Sequence, residues 1–233
     1  MAERFVEAFA LSPAKLDALL ATSALTFTAV HKVLAKRPIW SDLVMTLGDG
    51  DEEEGLEAAT QGLDALAAGK LPTTAYVERV TQLVLHAYAE PLKPALMEAN
   101  FMPASEHDGF WNPAFKALGM KTIAKQWGKA NLAFPRKKPK VDFGWPVITL
   151  IEPAALAAWK AELATPWREK LQTLPHSTFD PDADDDEDAY MCRDEVLAGI
   201  AVLEKWVTLA GKQSTSKRKA AGNALVLVID GDQ

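Results

Sequence analysis

Cysteine is nearly missing from this chain of 233 residues: Cys192 stands alone. That excludes an intramolecular disulfide and fits a reducing compartment. No run approaches the roughly 20 apolar residues that span a bilayer, and the opening MAERFVEAF carries acids where a signal peptide would carry a basic flank and an apolar core. The chain therefore reads as cytoplasmic, with no membrane partner. Familiar catalytic signatures are lacking too, among them GxSxG, HExxH, GxGxxG, CxxC and the P-loop pattern. Common hydrolase, zincin, Rossmann, P-loop and zinc-ribbon chemistries are not expected.

What is present is an ordinary globular composition, 48% hydrophobic and 24% charged, which sets aside disordered and fibrous classes. A chain of this length buries about 70% of its unfolded surface and needs neither metal nor disulfide to fold. The formal charge is -7, with 32 acids against 25 bases. Seven of those acids, Asp180, Asp182, Asp184, Asp185, Asp186, Glu187 and Asp188, fall inside nine residues. Removing them leaves 25 acids against 25 bases. Residues 109–141 lean the other way, with Lys116, Lys121, Lys125, Lys129, Arg136, Lys137, Lys138 and Lys140 and no acid. The molecule should be strongly dipolar.

Periodicity supplies the elements. RFVEAFAL reads as a first strand, and Ser12-Pro13 supplies an N-cap and a first-turn proline for a helix carrying Leu16, Leu19 and Leu20. Leu25 to Leu34 is a second apolar segment, and residues 46–55 read as a solvated acidic turn leading into a helix over 56–68 that Gly69 closes. Val77, Val80, Val84 and Tyr88 recur at helical spacing, and that helix should stop near Pro91 or resume briefly from Pro94. Asn112-Pro113 opens another helix that Gly119 stops, and Lys121 to Lys129 should be a short helix, basic outside and aromatic inside. WPVITLI and ALVLVID read as buried strands. Between them a helix opens at Pro153 with Leu156, Trp159 and Leu163 inward, and another carries Val196, Ile200, Leu203, Val207 and Ala210, with Asp194 and Glu195 in its first turn. The strands are too far apart for hairpins. The expected fold is an α+β or α/β single domain over 1–233, its sheet assembled from distant strands and covered by amphipathic helices. A sub-division near 100–110 is the alternative, and 177–191 is expected as an acidic surface loop.

Candidate chemistry is sparse. DPDADDDEDAYM places Asp180, Asp182, Asp184, Asp186 and Asp188 like the ligands of an EF-hand loop, but Asp185 stands where Gly is needed and Met191 where a bidentate Glu belongs. Weak Ca²⁺ binding stays open, and a partner-facing acidic loop is the preferred reading. His86, off the apolar stripe of its helix near Arg79, Gln82 and Glu90, reads as a surface histidine. His107 lies between Glu106 and Asp108, with Trp111 close by, which suits a general acid or base, although turn chemistry explains the same residues. Trp111, Trp127, Phe134, Phe143 and Trp145 interleave with the lysines of 116–140 as in a nucleic-acid channel. The preferred reading makes these rings core and the lysines solubilising. Cys192 precedes the last long helix and is expected to be buried and inert.

The opening strand with LSPAKLDALL, the segment LAAGKLPTTAYVERVTQLVLHAY, the stretch FPRKKPKVDFGWPVITLI and the closing helix with LVLVID together resemble a group of bacterial cytosolic domains, some of them encoded near polymorphic-toxin and secretion genes. The resemblance implies a bacterial cytosolic protein with an immunity or interaction role, and it carries over no catalytic residue. The acids at 180–188 depart from the pattern. The expected function is a protein-binding module that neutralises a basic toxin effector by occluding its functional surface, with Asp184, Asp185, Asp186, Glu187 and Asp188 as partner-binding residues. No cofactor, no metal and no catalytic residue is assigned. The alternatives are an enzyme with a cleft around His107, Asp108, Trp111 and the lysines of 121–129, and a nucleic-acid binder using 116–140.

Overall fold

A computed structural model describes residues 4–72, 77–97, 111–137, 146–175, 178, 186–212 and 222–231. The sheet starts from the two ends of the chain. β1 (Arg4–Leu11) and β6 (Ala224–Gly231) pair antiparallel along their whole length, Arg4 opposite Gly231 and Leu11 opposite Ala224. β5 (Val147–Ile151) adds to the outside of β6, and β2 (Glu90–Met97) to the outside of β1. The order is β2-β1-β6-β5, every neighbour antiparallel, so the fold is α+β.

Alternation along the strands feeds two cores. From β1 and β6, Val6, Ala8, Ala10, Leu225, Leu227 and Ile229 face one side, while Phe9, Leu11, Ala224, Val226 and Val228 face the other. β6 is apolar at every one of these positions because both its faces are covered. The Phe9 side carries the helices of the first half of the chain: α1 (Pro13–Leu20), α2 (Phe27–Leu34), α3 (Ile39–Leu47), α4 (Glu52–Ala67) and α5 (Val77–Tyr88). The Val6 side carries those of the second half: α6 (Trp111–Leu118), α7 (Lys121–Gln126), α8 (Pro153–Leu163), α9 (Trp167–Thr173) and α10 (Asp186–Lys212). Residues 100–110, near which the alternative sub-division falls, lie outside the described residues, and strands from both halves share one sheet.

Local chemistry sets the helix starts. The Ser12 hydroxyl accepts from Lys15 N and Pro13 occupies the first turn of α1, as the sequence predicts. Thr26 caps α2 in the same way. Asp51 accepts from Glu53 N and Glu54 N, and Glu52, Glu53 and Glu54 complement the helix dipole. α4 therefore begins four residues before the start expected at 56, and takes up the last residues of the acidic turn expected over 46–55. α7 borrows its cap, since the Glu162 carboxylate of α8 accepts from Thr122 N at 2.8 Å and Ile123 N at 3.0 Å.

Both edges of the sheet are guarded. The amide of Asn131 brackets Leu150 on β5, accepting from its N at 2.6 Å and donating to its O at 3.0 Å, and Asn131 N donates to Ile148 O. A small ribbon of β3 (Leu132–Ala133) and β4 (Arg136–Lys137) follows. The helix piece expected from Pro94 is instead the edge strand β2. Pro91 and Pro94 have no N–H to lose on an edge, and Trp206 Nε1 donates to Pro94 O at 2.8 Å.

Candidate functional site

Of the five acids expected to bind a partner, Asp184 and Asp185 lie outside the described residues. Asp186, Glu187 and Asp188 form the first turn of α10, so 186–191, expected as loop, are helical. The reason is electrostatic, because carboxylates are favoured where unpaired N–H groups give a helix start its partial positive charge. Cys192 consequently sits inside α10, not before it. His107 and Asp108 lie outside the described residues, and Trp111 opens α6. Lys116, Lys121, Lys125 and Lys129 are exposed, as expected, while Trp127 and Phe134 are buried, which removes both rings from any stacking platform. The other buried indoles are engaged as well: Trp159 Nε1 donates to Gln126 Oε1, Trp167 Nε1 to Glu204 Oε1 and Trp206 Nε1 to Pro94 O.

The side of α5 away from its valines is polar and nevertheless buried. Glu78, Arg79, Gln82 and His86 share that side, with Glu78 at 2% and His86 at 8% exposure. His86 is thus not the surface histidine that its polar neighbours suggest. Its Nε2 lies 2.9 Å from Glu7 Oε2 on β1, its ring meets Phe9 edge-on, and its carbonyl accepts from Arg37 Nη1 at 2.6 Å. Arg79 Nη1 donates to Gln82 Oε1 at 3.2 Å. Periodicity alone does not reveal this contact, because Glu7 is 79 residues away. A carboxylate orienting an imidazole is a general-base arrangement, but neither recess described below is lined by the pair. Its demonstrable role is to anchor α5 to β1. At the end of the same helix, burial raises the Tyr88 phenol above its usual 10.0, which keeps it neutral.

Among the described residues, two recesses bear on a possible site. The smaller, about 110 Å³, lies among Gln126, Asn131, Lys137, Leu150, Glu152 and Ala155. It is below the roughly 300 Å³ at which small-molecule sites begin. Its polar groups are also committed, Lys137 to Glu152 at 3.0 Å, Gln126 to Trp159 and Asn131 to β5. The larger is an open groove of about 510 Å³ between β2, α9 and α10, lined by Lys93, Arg168, Ala201, Glu204, Lys205, Thr208 and Leu209. Arg168 lies 4.2 Å over the Trp167 ring and grips Glu204 with both guanidinium nitrogens, at 3.1 and 2.6 Å. On the opposite face, Phe27, His31 and Trp40 form a half-buried aromatic cluster, Phe27 stacked on His31 at 5.3 Å and Trp40 edge-on to it at 5.1 Å.

Among the described residues no group of His, Cys, Asp and Glu is arranged to hold a metal ion, and no helix is long and apolar enough to cross a membrane. Comparison with family models, curated proteins and solved structures finds no match to this chain.

Proposed function

We propose that this protein is a protein-binding module that covers the functional surface of a basic partner, in the manner of an immunity protein. The observation that carries the reading is the placement of charge. The whole formal charge of -7 is matched by the seven acids of residues 180–188, and the remaining chain is balanced. The last three of those acids stand at the head of a 27-residue helix. A concentrated negative pole on an otherwise neutral body steers a basic surface into one orientation and raises association rates by about 10 to 1000-fold at low salt. The half-buried cluster of Phe27, His31 and Trp40 suits the same class of role, since aromatic residues are the usual anchors of protein interfaces.

The test is affinity capture followed by association kinetics. The dominant captured protein should be basic, and its activity should fall when the complex forms. A chain carrying Asp184→Asn, Asp185→Asn, Asp186→Asn, Glu187→Gln and Asp188→Asn should associate about tenfold more slowly at low ionic strength, with dissociation little changed. Equal association rates for the two chains would remove these acids from the recognition surface.

A further inference from the structure

The groove between β2, α9 and α10 carries the opposite charge from the acidic pole and is independent of it. Its cations are Lys93, Arg168 and Lys205, and its one carboxylate is Glu204. Glu204 is fully engaged: Oε1 accepts from Trp167 Nε1 and Arg168 Nη1, and Oε2 from Arg168 Nη2. That pairing neutralises Arg168 and leaves Lys93 and Lys205 as two uncompensated positive charges, neither in an ion pair with a described residue. Part of the lining is apolar. Leu209 and Met45, each 37% exposed, are the exposed large hydrophobic side chains among the described residues, and Leu209 stands in this groove beside Ala201 and Thr208.

We infer that this groove docks a short, extended, acidic segment of a partner protein, with carboxylates on Lys93 and Lys205 and an apolar side chain against Leu209. Three features select that occupant. Two free lysines call for an anion, and Leu209 calls for an apolar group next to it, which a peptide supplies and a run of phosphates does not. From Ala201 to Leu209 the stripe of α10 is about 12 Å long at 1.5 Å per residue, the length of three or four extended residues. The volume of about 510 Å³ lies within the range of binding sites. Docking proceeds through side chains, not strand addition, because Pro91 and Pro94 remove donors from β2 and Trp206 occupies the Pro94 carbonyl.

The probe is a fluorescein-labelled Glu-Leu-Glu-Glu peptide, titrated by fluorescence anisotropy at low salt against the full chain. Its glutamine counterpart and inorganic tripolyphosphate serve as comparisons. The acidic peptide should bind, and Lys93→Ala with Lys205→Ala should weaken it about tenfold, two exposed charge contacts being lost together. Leu209→Ser should weaken it several-fold, Met45→Ser should leave it unchanged, and the chain with five neutralised acids should bind as tightly as the parent. That last result separates this groove from the acidic pole, so either proposal can fail alone. Equal binding of the glutamine peptide, or an unchanged constant in the double lysine variant, would overturn the inference. So would tripolyphosphate competing fully in a chain indifferent to Leu209→Ser, which would make the groove a plain anion site. Self-association abolished by neutralising the five acids would overturn it in favour of a second copy of this chain.

Discussion

At position 55 the absence of a side chain decides how closely α3 and α4 approach. A Cβ there would stand 2.0 Å from the Val44 carbonyl oxygen, a backbone atom that cannot rotate aside. Helix propensity by itself says that Gly→Ala inside α4 stabilises by about 1 kcal/mol, while the collision costs about 1–3 kcal/mol or more. The collision should win. Gly55→Ala is expected to lower the urea midpoint, whereas Gly211→Ala in α10, where a Cβ meets nothing within 4 Å, should raise it slightly. The opposite signs of one substitution at two helical sites make the test independent of propensity scales. By its sequence neighbours Gly55 belongs to an acidic turn, since nothing among them shows what packs against it. His86 teaches the same lesson about polar residues. Its place off the valine stripe was legible, but burial came from Glu7 and Phe9 on a strand at the other end of the α5 half.

Elements were legible where one local rule was enough. The apolar runs of β1, β5 and β6 are strands, the stripe Val196, Ile200, Leu203, Val207 and Ala210 is buried along α10, and Ser12 caps α1. They were misread where tertiary position overrode a local signal. Two prolines made β2 look like a helix break, yet proline is tolerated on a sheet edge. The acids of 186–188 looked like loop, yet they complement the head of α10. The candidate site fared less well, because the groove draws Lys93, Arg168 and Leu209 from three elements with no shared motif. At this scale the outer edge of β5 depends heavily on one residue. Asn131→Ala removes two hydrogen bonds to Leu150 and leaves its N–H and C=O without those partners, at about 2 kcal/mol. Calorimetry should show a lowered Tm, and light scattering should show faster aggregation through the bared edge. An unchanged Tm would mean that β3 alone guards that edge.

On the scale of the whole molecule, one sheet serves two helical layers that come from opposite halves of the chain. β1, flanked by β2 and β6, is the seam: it pairs with β2 of its own half and with β6 of the other. Its Val6, Ala8 and Ala10 are covered by helices of the second half, and Ala224, Val226 and Val228 of β6 by helices of the first. Cutting the chain at 104 would therefore leave each fragment with two strands and one bare apolar face, and a sheet of two strands covered on one side is marginal in water. We expect fragments 1–104 and 105–233 to lack a cooperative thermal transition when separate and to regain one when mixed, as followed by circular dichroism. In the intact chain, hydrogen exchange should be slowest in β1 and β6, the two strands that are paired on both edges and covered on both faces. A cooperative transition in 1–104 alone would mean that the first-half core of α1 to α5 is self-sufficient, and that the shared sheet joins two domains instead of making one.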